Sequence, residues 1–199
     1  LGTINILEAL KFKKIKRFIF ASSIYAISSQ GGFYSATKRS CENIIEEYSK
    51  KYGINYTILR YGSLYGTRAN KLNSIHNFIS QALKTNKIIR KGNGQEIRNY
   101  INVKDAANIT FHILNKKYNN KYLNIIGRER MKVKEVLNLI KKKLNVKEII
   151  FLKKQKIKYH YLKNPYSYKL KIGKTISPKK SVKFIEGLKD IADEIRKTL

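Results

Sequence analysis

Residues 17–21, Arg-Phe-Ile-Phe-Ala, form a short unbroken apolar run closed by Ser22-Ser23. A run of this length, without polar alternation, reads as a strand buried on both faces of a parallel sheet. A second run, Asn-Tyr-Thr-Ile-Leu-Arg-Tyr at 55–61, has the same character. Between them lies a helical segment over 34–52, with Ile44, Ile45 and Tyr48 on one side and Gly53 as its C-terminal stop. Ahead of them Ile4, Leu7 and Leu10 are spaced as on a helix. Helix, strand, helix, strand in this order predicts right-handed crossover units on a parallel sheet, an α/β fold.

The second half continues in shorter elements. The spacing predicts helices over 73–85, 103–115 and 131–144, and strands over 97–102, 122–126 and 148–152, with a turn at Lys91-Gly92-Asn93-Gly94. A last helix is expected near the C-terminus on Ile185, Leu188, Ala192, Ile195 and Leu199. Both prolines, Pro165 and Pro178, fall in the segment 153–180, which reads as a basic tail or linker. No internal repeat is visible.

Forty-three Lys+Arg against 13 Asp+Glu give a formal charge of +30 over 199 residues. Such a charge raises the question of a polyanion partner. The stretch from Ile149 to Ile185 has no carboxylate and eleven lysines. Lys, Ile, Asn and Tyr are abundant throughout, however, and lysine that coats the whole surface is the plainer reading. No zinc-finger spacing, RNP-like aromatic motif or helix-turn-helix pattern accompanies the charge, so nucleic acid is not the expected partner. A hydrophobic content of 42% is too high for a disordered polycation. No apolar run approaches the roughly 18–20 residues of a membrane span. The start, Leu1-Gly2-Thr3, has neither a signal peptide's pattern nor an initiator Met, which suggests a sequence that begins inside a longer reading frame. A single cysteine, Cys41, forms no internal disulfide and is expected as a small buried hydrophobe in a reducing, cytoplasmic setting. His76, His112 and His160 are too scattered for a metal cluster, so no metal is expected.

Three residues could form a proton-handling group. Tyr34 and Lys38 are four apart at the start of the long helix and share a face. Ser23 ends the preceding strand. A phenol ionises near pH 10 and is a poor base at neutrality; a neighbouring ammonium favours the phenolate. A phenolate so placed can take a proton from a substrate hydroxyl while hydride leaves the same carbon, and a serine hydroxyl can hold the same oxygen. The spacing alone is weak, since Tyr100/Lys104 and Tyr159/Lys163 repeat it. Only Tyr34/Lys38 follows a strand ending in Ser-Ser and opens a long helix that leads to another strand.

Ser22-Ser23 after an apolar strand, Tyr34-Ser35-Ala36-Thr37-Lys38, and Leu59-Arg60-Tyr61-Gly62-Ser63-Leu64-Tyr65-Gly66 together resemble the extended short-chain dehydrogenase/reductases, within them the NAD-dependent epimerase/dehydratase group acting on nucleotide sugars. Gly92 to Ala106 is similar to the family's G-x-G…R-D-[FY]-[IV]-H-V-x-D-x-A segment, Tyr122 to Gly127 to its Y-N-[IL]-G strand, and Gly2-Thr3 with Leu7-Glu8-Ala9 to its G-T-x-N-[LV]-L-E-A helix. The resemblance covers roughly residues 1–145. It implies a partial Rossmann-like, doubly wound parallel sheet over 1–66 and a smaller substrate lobe over 67–199, with 97–126 partly returning to the sheet.

By position, the resemblance makes Tyr34 the base, with Lys38 holding the nicotinamide ribose and tuning it, and Ser23 aligning the reacting oxygen. Ser22, Tyr61 and Gly62 would join Tyr34 and Lys38 at the cofactor. Ser63, Asn73 and Arg98 would face the substrate, Arg98 pairing a nucleotide diphosphate as a planar fork can. NAD or NADP is the implied cofactor, a nucleotide-diphosphate sugar the substrate, and a homodimer through the 34–52 helix the assembly. Departures bear on detail. The G-x-G-x-x-G fingerprint has no counterpart, so roughly the first quarter of the family domain is expected to be missing and NAD is not distinguished from NADP. Only 10 residues separate Ser23 from Tyr34. Ser63 stands where many relatives have Asn, Asn99 where Asp is usual, and Asn102 where His is usual. Asp105 is expected to cap or anchor the helix that follows. Ile24-Tyr25 occupies the place of the Asp-Glu pair with which 4,6-dehydratases eliminate water, which favours an epimerase or reductase. The alternatives are a catalytically incompetent fragment of such an enzyme or a basic binding module.

Overall fold

The computed structural model describes residues 1–153; the expected linker beyond them and the expected C-terminal helix lie outside the described residues. Helix α1 (Gly2–Leu10) leads to strand β1 (Phe18–Ser23), helix α2 (Gly32–Tyr52) and strand β2 (Tyr56–Tyr61). β1 and β2 pair in parallel from Phe18↔Tyr56 to Ser23↔Tyr61. Strand β6 (Lys121–Ile125) joins β2 on its other side, also in parallel. Gly53 ends α2 in the left-handed conformation (φ 66°), where its N–H bonds Ser49 O at 2.9 Å; a side chain there would be strained.

Adjacent residues of β2 face opposite layers, which is why its run is apolar without interruption. Ile58 packs with Leu7 and Ile45 from α1 and α2. Leu59 packs with Ile101, Ala106, Ile113 and Ile125 on the side of helix α4 (Val103–His112). Both faces of the parallel sheet are therefore covered by helices. This is the doubly wound α/β arrangement expected from the sequence.

The remaining elements build a second cluster. Strand β3 (Ser63–Tyr65) pairs in parallel with β5 (Ile97–Asn102), and β7 (Glu129–Lys132) runs antiparallel to β5. Strand β4 (Lys87–Lys91) pairs with β8 (Glu148–Leu152). Helices α3 (Ser74–Thr85) and α5 (Val133–Leu144) close over them through Phe78, Ala82, Ile88, Val136, Leu137 and Ile140. Strands β3, β4 and β7 are absent from the sequence reading. Residues 63–65 are too few to show a period, and charged residues interrupt the other two. Helix α5 consequently starts at Val133, after Met131 has ended in β7, and α4 stops at His112 because Asn115 instead caps a 3-10 turn, its side chain accepting Lys117 N–H at 3.0 Å.

Two smaller expectations are corrected. Cys41 is half-buried, its Sγ 3.5 Å from Thr3 Oγ1, because its side of α2 meets the start of α1. Asn102, rather than Asp105, caps α4 by accepting Lys104 N–H at 2.9 Å; Asp105 lies in the first turn. No helix among the described residues is long and apolar enough to cross a membrane.

Candidate functional site

The carboxyl ends of β1 and β2 lie side by side at Ser23 and Tyr61, the end of a parallel sheet at which α/β proteins bind their ligands. β1 runs into a 3-10 turn, Ile24–Ile27, whose start Ser23 caps: its Oγ accepts Tyr25 N–H at 3.2 Å. A hydroxyl keeps its own hydrogen to donate in that arrangement. The turn is latched to α2. Ser35 Oγ donates to Tyr25 O at 2.7 Å, and the Arg39 guanidinium donates to Ala26 O at 2.8 Å and Ser28 O at 2.9 Å. Tyr25 then meets Tyr34 edge-on, ring centroids 6.0 Å apart.

Tyr34 and Lys38 share one side of α2. The Lys38 ammonium lies 6.0 Å from the Tyr34 ring centroid and 4.9 Å from that of Phe20, and donates to Ala21 O at 2.9 Å. Half of the Tyr34 side is exposed, and it borders a cavity of about 640 Å3. Ser23, Gly62, Ser63, Asn73 and Arg98 border the same cavity, so six of the residues singled out from the sequence converge there. Gly62 allows this convergence, since a Cβ at this position would stand 2.8 Å from Asn99 O. Its bare backbone lets the end of β2 approach β5, which carries Arg98.

The other three candidates are placed differently. Ser22 donates from Oγ to Glu42 Oε1 at 2.5 Å, within the protein. Tyr61 shares a 2.6 Å hydrogen bond with Thr110 Oγ1 and packs under α4, away from the cavity lining. Lys38 stands beside Tyr34 without itself lining the cavity. Asn73 does so as the N-cap of α3: Oδ1 accepts Ile75 and His76 N–H at 3.1 and 3.2 Å, and Nδ2 donates to Leu64 O at 2.8 Å. One amide hydrogen is left for a ligand.

The sequence reading passed over a buried network behind the site. Glu42, 2% exposed, lies one turn after Lys38. It accepts Ser22 Oγ–H and grips the Arg60 guanidinium with both oxygens, at 2.6 and 3.0 Å for the shorter contacts. Arg60 lies in turn over the Tyr122 ring at 4.5 Å. Burial, then a hydrogen bond with Glu46, pushes the Tyr122 phenol well above its usual range. It also passed over Arg90 and Glu96, an ion pair at the cavity wall. Burial works to raise the Glu96 carboxyl, but its own backbone N–H and the Arg90 guanidinium outweigh that and hold it below the usual range. An acid following Tyr34 and Lys38 along the helix, and an arginine two residues after a buried strand isoleucine, were the available signals.

Ser23 at the end of β1 and Tyr34 and Lys38 on α2 lie at the carboxyl edge of the doubly wound sheet. Residues 1–126 match the NAD dependent epimerase/dehydratase family. The chain is 33% identical over 158 residues to a putative UDP-glucose 4-epimerase of Methanocaldococcus jannaschii, covering 71% of this chain and 51% of that protein. Its fold is similar to UDP-glucuronic acid 4-epimerase from Bacillus cereus, solved in complex with UDP-glucuronic acid and NAD (TM-score 0.74, 24% identity, 81% of this chain and 55% of that one). It is also similar to UDP-glucose 4-epimerase from Thermotoga maritima, solved with UDP-glucose (TM-score 0.71, 24% identity, 81% and 58%). The chain belongs to the NAD-dependent epimerase/dehydratase family. It spans about half the length of the curated relatives it matches.

The side chains present fit one end of the family's cofactor. Ser23, Tyr34 and Gly62 border a cavity into which a nicotinamide riboside would fit, and the Lys38 ammonium lies 6.0 Å from the Tyr34 ring centroid. The G-x-G-x-x-G turn that would hold the pyrophosphate occurs nowhere in the 199 residues.

Proposed function

We propose that this chain forms the proton-handling and sugar-binding side of a nucleotide-sugar epimerase that works by reversible hydride transfer. The observation that carries this reading is the meeting of Ser23 and Tyr34 at one cavity with Ser63, Asn73 and Arg98, with Lys38 on the Tyr34 side of α2. Tyr34 takes the proton of a sugar ring hydroxyl. Ser23 donates its hydroxyl hydrogen to the same oxygen and fixes it. The Lys38 ammonium stands on the Tyr34 side of α2, its place set by the bond to Ala21 O. NAD or NADP, bound beside these residues, supplies the hydride acceptor and then the donor at the carbon carrying that hydroxyl. Once the keto sugar has presented its other face, Tyr34 returns the proton. A cavity of about 640 Å3 is within the range of small-ligand sites and leaves a hexose room to turn. Arg98 holds the diphosphate.

Epimerisation is favoured over 4,6-dehydration by the carboxylates. Glu96 is the sole carboxylate among the described residues lining the cavity, and it is paired with Arg90. Ile24, next to Ser23, is buried and offers no acid or base. The names of the similar proteins favour a UDP-sugar as substrate. A homodimer through α2 is part of the same reading, and sedimentation of the chain tests it. The test of the chemistry is Tyr34→Phe. It should abolish turnover of UDP-glucose or UDP-glucuronic acid in the presence of NAD, a loss of about 10²-fold or more, while the affinity for the UDP-sugar stays within about twofold. Unchanged turnover removes the mechanism.

A further inference from the structure

Ser23 and Tyr34 have to meet on one substrate oxygen, and only ten residues join them. Tyr25 stands in that short connection and touches both ends of it. Its N–H donates to Ser23 Oγ at 3.2 Å, and its carbonyl accepts from Ser35 Oγ, the neighbour of Tyr34 in α2, at 2.7 Å. Ile24 and Ala26 on either side are buried, whereas Tyr25 borders the cavity. Its ring rests on Gly31, the N-cap of α2, where a Cβ would stand 2.7 Å from Tyr25 Cδ1. That position also has φ 108°, so bare backbone is what seats the ring there. The same ring meets the Tyr34 ring nearly perpendicular, at 80° with centroids 6.0 Å apart, a favoured aromatic geometry.

Tyr34 lies in the first turn of α2 and is half-exposed. A side chain on such a turn can change rotamer unless a neighbour restrains it. Its phenol oxygen sits at the far end of the ring, so a modest rotation about χ1 carries it well away from Ser23, and a misplacement of about 1 Å can cost about 10²-fold in rate. Among the described residues, Lys38 bounds one side of the ring, its ammonium held by Ala21 O, and Tyr25 bounds another. We propose that Tyr25 is a positioning residue: its ring, seated on Gly31, holds the Tyr34 phenol where it and Ser23 Oγ reach the same sugar oxygen. The short connection between Ser23 and Tyr34 thereby carries its own stop for the catalytic ring. This deepens the proton-transfer reading of the cavity and rests on it.

Steady-state kinetics of the 199-residue chain on a UDP-hexose with NAD test the assignment, with folding checked by circular dichroism. Tyr25→Leu removes the ring and should lower kcat about tenfold or more, with KM within about twofold of the parent chain. Tyr25→Phe keeps the ring against Gly31 and Tyr34 and should hold kcat within about threefold of the parent. If Tyr25→Leu does not fold, Tyr25→Trp, whose ring is too wide for the place beside Gly31, should show the same fall in kcat. A raised KM with unchanged kcat overturns the proposal and makes Tyr25 a substrate contact. Tyr25→Phe as slow as Tyr25→Leu overturns it too, since the effect then lies in the hydroxyl. The Tyr34 ring is also followed by carbon NMR, its signals assigned by their loss in Tyr34→Phe. Tyr25→Leu should loosen that ring toward the order of a free side chain and Tyr25→Phe should not; equal order in all three overturns the proposal without reference to turnover. A parent chain with an ordered Tyr34 ring but no turnover refutes the hydride-transfer reading, whereas turnover indifferent to Tyr25→Leu refutes the role of Tyr25 alone.

Discussion

Glu42 ties the helix that carries Tyr34 and Lys38 to both strands of the site. Its carboxylate reaches Ser22 on β1 and Arg60 on β2, so a shift of α2 along its axis would break four hydrogen bonds to a nearly inaccessible charge. Removing one partner of such a pair leaves the other uncompensated and costs about 3–5 kcal/mol. Glu42→Ala should lose stability of that order in urea unfolding, and Glu42→Gln less; a loss under about 1 kcal/mol for Glu42→Ala would mean that the pair is solvated in solution. Which residues were legible follows from the range of the interactions that place them. The shared side of Tyr34 and Lys38 was legible because a four-residue spacing on a helix is local geometry, and the place of Ser23 because it closes a strand. The direction of the Tyr61 hydroxyl was not, because the side a strand residue faces is settled by which helix covers it, here α4 through Thr110. Arg90 and Glu96 meet across a turn that spacing does not predict.

Helix α3 shows how one element serves both fold and site. Asn73 satisfies two of its first N–H groups and is tethered to Leu64 O on β3. Asn73→Ala removes an N-cap worth about 1 kcal/mol. It also frees the start of α3 from β3, so UDP-sugar affinity should fall with stability in calorimetry and thermal unfolding. A stability loss with unchanged affinity would confine Asn73 to capping. The long elements α1, α2, β1 and β2 could be read from apolar rhythm because each buries a wide face against a neighbour. Strands β3, β4 and β7 could not, because their pairing with β5 and β8 and not their composition makes them strands. Strand β4 holds two lysines and an arginine in five residues, and only the cover of α3 and α5 turns Ile88 inward.

For the molecule as a whole, a formal charge of +30 is a repulsive load that the described ion pairs, such as Lys50–Glu47 and Lys87–Glu148 at the surface, offset little. Lysine spread over the surface is destabilised by its own repulsion, and salt within a Debye length of about 10 Å at 0.1 M relieves it. The unfolding temperature should therefore rise by a few degrees as NaCl is raised from about 0.05 to 0.5 M. A falling unfolding temperature would mean that attractive pairs dominate. The same screening would weaken the diphosphate contact proposed for Arg98, so nucleotide affinity should decline over that range while stability climbs.

The account turns on proton removal at Tyr34 coupled to inversion of a sugar carbon. Its most direct test is to incubate the chain with a UDP-hexose and NAD and to follow the sugar ring by NMR. Appearance of the epimer inverted at one hydroxyl-bearing carbon, and its absence with Tyr34→Phe, is the predicted result. A sugar that stays unchanged while UDP-hexose and NAD are both shown to be bound would contradict it.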